Sequence, residues 1–212
     1  MSDKAGQNLA ALIDASASDG LSPLLVQLYV RRAIELVASG ESLASLPASI
    51  PDVYVDYVRR AVGAGSHPRA SEVVSIAKEL AWLSVRHDFA PREVLERELV
   101  DAMPTQVREA AHENLERLVI SGVVLRKASG LGTSFRIKMD PIAECLAAIR
   151  FGETSGADES PWHDMAERLA SAGSRGRSFQ MMLTLCCEAY GERLRWGCQQ
   201  MQKPSTAHRS WD

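Results

Sequence analysis

Residues 107–148 read VREAAHENLERLVISGVVLRKASGLGTSFRIKMDPIAECLAA, and a change of period inside this stretch decides the fold. Val107, Ala111, Leu115, Leu118 and Val119 fall on one face at helical spacing, which predicts a helix over about 105–121. Gly122 ends that pattern. Val123–Lys127 and Ser134–Lys138 are then two β-prone runs on either side of a glycine-rich connection, Ala128–Thr133. That arrangement predicts a hairpin. Asp140 is placed to cap a further helix whose first turn holds Pro141.

Working upstream, helical patterns over about 70–87 and 91–102 precede the 105–121 helix. Three helices followed by a hairpin is the order of a winged helix, a relative of the helix-turn-helix. Its predicted limits are 67–150. Further back, Leu9, Leu12, Ile13 and Ala17 give an amphipathic helix over 4–17, and Ser22-Pro23 starts another that runs to about Ala38 before Gly40. Pro47 and Pro51 bracket an extended link to a helix over 52–62. Gly63–Pro68, with two glycines and a proline, is the expected boundary, so 1–66 reads as a small helical domain. Downstream, the polar stretch Phe151–Ser160 reads as a linker. Residues 161–200 read as two helices broken near Gly173–Gly176, with a frayed tail after Lys203. The expected architecture is mainly α: a helical bundle plus a winged helix with a small β-hairpin wing, and a C-terminal helical extension over 151–212.

Composition excludes several classes. Apolar content of 46% and charged content of 24% belong to a soluble globular chain, and no apolar run approaches a membrane span. A net charge of −3 argues against a dedicated nucleic-acid binder, and the N-terminus lacks the apolar core of a signal peptide, so a cytoplasmic location is expected. Cys145, Cys186, Cys187 and Cys198 have no paired metal-ligand spacing, which predicts reduced thiols and no metal. No catalytic residue is assigned. The chain contains no G-x-x-x-x-G-K-[ST] phosphate loop. His67, His87, His112, His163 and His208 are scattered, with no activated serine or cysteine beside them. The expectation is a non-enzyme.

Two surfaces remain as candidates for contact. If the winged helix reads DNA, the residues available are Arg108, His112 and Arg117 on its third helix, with Arg126, Lys127, Arg136 and Lys138 on the wing. Against that reading, residues 72–116 carry ten acidic and five basic side chains, a poor surface for phosphates. A protein-packing winged helix is therefore preferred, with a stand-alone DNA-binding regulator as the alternative. The second surface is the apolar stripe Met181, Met182, Leu185 and Tyr190, with Trp196 beyond. Either the chain's own core covers it or it is a self-association contact.

A winged helix whose last strand runs into Asp140-Pro141-Ile142-Ala143-Glu144-Cys145-Leu146-Ala147-Ala148 resembles the NACHT and NB-ARC branches of the STAND signalling NTPases. Gly20–Leu24 resembles the Gly-x-Pro element of their small helical domain, with one spacing change. Leu46–Pro51 and the following helix also resemble that domain, so the similarity spans roughly residues 20–150. The resemblance implies a non-catalytic regulatory and oligomerisation region that controls an ATPase core, in cis or in trans, by winged-helix packing. It also implies self-association, and ADP or ATP only where such a core is joined. Pro23 would lie near an adenine, and Met139 and Asp140 near a diphosphate. Met139 stands where the family has a histidine, and a thioether donates no hydrogen bond to phosphate. The alternative roles are plain: Pro23 starts a helix and Met139 fills core beneath the wing.

Overall fold

The structure, a computed structural model, describes residues 23–63, 70–103, 108–130 and 132–190. The first two helices are α1 (Pro23–Ala38) and α2 (Ile50–Ala61). Gly40, at φ +72°, reverses the chain after α1, and the Ser49 side chain accepts a hydrogen bond from the Asp52 amide to cap α2. Leu25, Leu28, Tyr29 and Leu36 bury one side of α1, and Val53, Tyr54 and Val58 bury the facing side of α2. Charges stitch the pair at its rim: Arg60 bridges Asp56 and Glu35, and Arg32 approaches the same aspartate at 3.6 Å.

The central body has the winged-helix order. α3 (Ala70–Val85) leads to a two-residue strand β1 (Val94–Leu95), then α4 (Glu96–Ala102), α5 (Ala111–Ile120), β2 (Val124–Ser129) and β3 (Gly132–Ile137). The sheet is antiparallel with order β1-β3-β2. Phe135 on β3 faces Val94 across one ladder and Arg126 across the other. Ser129 pairs with Gly132, so the wing turns tightly, and Gly132 takes φ +115°, a value only glycine adopts at ease.

Strand β1 corrects the expected helix over 91–102. Val94 is fully buried, and its backbone pairs with a strand some forty residues later, a partnership local propensity cannot register. The helix expected over 105–121 is shortened at its start: Glu109 and Ala110 form a turn and α5 runs Ala111–Ile120, while residues 104–107 lie outside the described range. α3 stops at Val85 and the chain turns through Phe89, the one described non-glycine residue with positive φ, at 57°.

α6 (Asp140–Ser155) crosses α3 and is covered on nearly all sides, with Ile142, Ala143, Cys145, Leu146, Ala147 and Ala148 all at zero exposure. The expected linker over 151–160 is mostly absent: α6 continues to Ser155, and α7 (Glu159–Ala172) begins after a short turn at Gly156. Phe151 explains the difference. Its ring meets Trp162 edge-on at 4.7 Å and Trp82 at 5.5 Å, and the Trp162 indole donates to the Gly156 carbonyl at 3.1 Å.

A 3₁₀ turn (Gly173–Gly176) leads to α8 (Arg177–Ala189), which packs on α6 and α2. Gly176 is closely packed there: a Cβ would sit 3.1 Å from the Leu169 side chain, which would have to shift by a few tenths of an ångström. One continuous set of buried side chains runs from Leu25 to Cys187, through all three expected units. The helix expected over 4–17, most of the expected Gly63–Pro68 boundary, Cys198 and the tail lie outside the described residues. No helix among the described residues is long and apolar enough to cross a membrane.

Candidate recognition face of the winged helix

In a DNA reader, the outer face of α5 and the wing would present free cations to phosphates. Here those cations have partners within the domain. Arg117 pairs with Glu113 at 2.9 Å, one turn earlier on α5, and Arg126 of β2 pairs with Glu116. His112 Nδ1 lies 3.3 Å from Glu96, and Lys127 is 3.0 Å from Glu93. Arg136 lies 2.8 Å from Asp140. Arg108 is turned inward, donating to the Met103 and Asp101 carbonyls at 2.9 Å each. Lys138 alone of the seven is exposed without a partner among the described residues.

The carboxylates come from outside the expected recognition helix as well as from it. Glu93 precedes β1 and accepts from both Lys127 and Ser134, whose hydroxyl is 3.1 Å away. Those two hydrogen bonds hold its carboxyl below the usual range. Two large apolar side chains are exposed on these elements, Ile120 of α5 at 83% and Leu125 of β2 at 51%. A shallow groove between the end of α2 and α5 includes Ala61, Val62 and Ile120, rimmed by Glu113 and Glu116.

The residues implied by the STAND resemblance fall in two places. Pro23 is exposed at the start of α1, whose neighbours are α2 and the 3₁₀ turn at Leu43–Ser45. Met139 and Asp140 stand at the junction of β3 and α6, Met139 half-buried against the core and Asp140 engaged by Arg136. A thioether and a neutralised carboxylate supply no donor for a diphosphate, so these residues alone do not fit one.

The C-terminal stripe is covered by the chain itself. Met182 is buried, Leu185 and Tyr190 pack against the core, and only Met181 faces out. Trp196 lies outside the described residues. The Tyr190 hydroxyl reaches back to α2, donating to Asp52 at 3.0 Å, and burial together with the Asp52 charge raises its phenol well above the ordinary value.

Tyr190 also closes a cleft of about 320 Å³ that sequence reasoning missed. Its walls come from α2, α3, α6 and the end of α8, so no local motif announces it. Its acids are already engaged: Asp52 by Tyr190 and Ser49, Asp56 by Arg60, and Glu153 by Lys78. No metal-binding cluster occurs among the described residues. Cys145, Cys186 and Cys187 are buried. The neighbouring Cys145 and burial push the Cys186 thiol far up, away from the reactive thiolate form.

No known protein family, curated protein or solved structure matches this chain.

Proposed function

We propose that this region is a regulatory protein-docking module, in which a winged helix contacts another polypeptide rather than a nucleic acid. The observation that carries this reading is the pairing of Arg117, Arg126, Lys127, His112 and Arg136 with carboxylates of their own domain. Binding phosphates there would first require breaking five such pairs and would leave the acids facing the DNA backbone. Exposed Ile120 and Leu125 suit an apolar partner surface instead.

Its partner, in this reading, is an ATPase core of the STAND type, in the same chain or another. The support is the order of elements: a helical pair opened by Pro23, a winged helix, and a buried helix opened by Asp140-Pro141. The module itself performs no chemistry; it would hold such a core in one state through winged-helix contact and release it by rigid-body movement. Localisation in the cytoplasm belongs to the same proposal.

Fluorescence anisotropy with a mixed-sequence DNA duplex tests it. The expected result is negligible binding at low salt and no steep salt dependence. Tight binding that weakens steeply between about 50 and 200 mM salt would establish a DNA reader and overturn the proposal.

A further inference from the structure

Asp52, Val55 and Arg59 share one face of α2, at steps of three and four residues, and all three line the cleft of about 320 Å³ beside Tyr190. Most charges around that cleft cancel in place: Asp56 is paired with Arg60, and Glu153 with Lys78. Asp52 and Arg59 are left over. Among the described residues the Asp52 carboxylate is held only by two neutral hydroxyls, those of Ser49 and Tyr190, and Arg59 has no partner. Along this wall the cleft is therefore negative, then apolar, then positive, over about 10 Å at the helical rise.

We propose that the cleft binds a small linear zwitterion, an ammonium and a carboxylate joined by an apolar chain, the chemistry of an ω-amino acid. The ammonium meets Asp52, whose oxygens each keep a lone pair beyond the one its hydroxyl partner uses. The carboxylate meets Arg59, whose planar guanidinium matches two carboxylate oxygens at once. Between the charges the chain lies on Val55, with Pro47, Ile149 and Tyr190 around it.

Charge and size select this ligand class. A simple amine or a simple acid would answer one end and leave the other unmatched. Phosphate would bring two negative charges against a lining that already holds Asp52, Asp56 and Glu153. The volume is at the small end for a ligand site, which suits a molecule of this kind better than a nucleotide. A ligand seated there touches α2, α3, α6 and the residue that ends α8 at once, whether or not the winged helix docks on an ATPase core.

NMR titration of the full chain with 6-aminohexanoate decides the matter, followed at the Ile149 methyl and the Arg59 Nε–H. Both signals are expected to shift saturably, with a half-point of about 1 mM for so small a ligand. Hexylamine and hexanoate, each lacking one charge, and glycine, lacking the span, should bind at least about tenfold more weakly. Arg59→Gln, at an exposed position, should erase the preference for 6-aminohexanoate over hexylamine. Three results overturn the proposal: no saturable shift up to about 20 mM, hexylamine or hexanoate binding as tightly as the zwitterion, or a preference that survives Arg59→Gln. If that variant fails to fold, the comparison of ligands on the unaltered chain still decides.

Discussion

Asn114 sits on the inner face of α5 beside Leu115 and Leu118, buried, with neither its amide nitrogen nor its oxygen hydrogen-bonded. An amide removed from water without partners costs about 1–3 kcal/mol. Asn114→Leu is therefore expected to raise the urea midpoint by the equivalent of about 1 kcal/mol. An unchanged or lowered midpoint would mean the amide has a favourable role in the native protein. At this scale the sequence named basic residues around α5 and the wing but did not reveal their partners. Glu93 and Lys127 are 34 positions apart, and only the fold of the sheet brings them together. The acidic excess of 72–116 was the legible sign that such partners existed.

Elements were readable wherever their own pattern determined them. α1, α2 and α3 follow from apolar spacing, and β2 with β3 from β-branched runs around a glycine-rich turn. β1 was not readable, because two residues become a strand only by hydrogen bonding to β3. The supposed linker failed for a similar reason: Phe151 and Trp162, eleven positions apart, clamp a turn that polar composition made look loose. Contact between elements also sets a pH dependence. Glu144 of α6 is buried against α8 and accepts from the Ser178 hydroxyl at 2.6 Å. Burial is the larger influence and raises its carboxyl above the ordinary value, the hydrogen bond offsetting it in part and Asp140 adding to the rise. A raised acid loses its proton later in the folded than in the unfolded state, so stability falls as pH rises through that interval. Glu144→Gln should thus be more stable than the unaltered protein in urea at pH 7. The advantage should vanish as pH drops below the ordinary carboxylate range. An advantage that persists unchanged in acid would trace to packing rather than charge.

Taken as a whole, the molecule has a core that ignores the boundaries expected from composition. Phe179, Leu183 and Cys186 of α8 are at zero exposure, Phe89 in the turn after α3 stacks on Phe179 at 5.7 Å, and Arg168 of α7 lies 5.2 Å from the Phe89 ring centre. The C-terminal helices are thereby fastened to the winged helix. Leu183→Ala should cost about 2–5 kcal/mol and lower one common transition, seen alike by far-UV circular dichroism and tryptophan fluorescence. Separate transitions for the two probes would divide the C-terminal helices from the rest.

The burial of α6 on almost every side has a consequence for how the chain tolerates change. Along α2 or α5, permissive and intolerant positions should alternate with the helical turn, because water touches one flank. From Ile142 to Ile149 there is no such flank, so a saturation library read out by folding would record a block of refusal broken only where a buried charge is removed, as at Glu144. The eight residues in that block would be the last part of this protein to diverge, and the surest place to look for its distant kin.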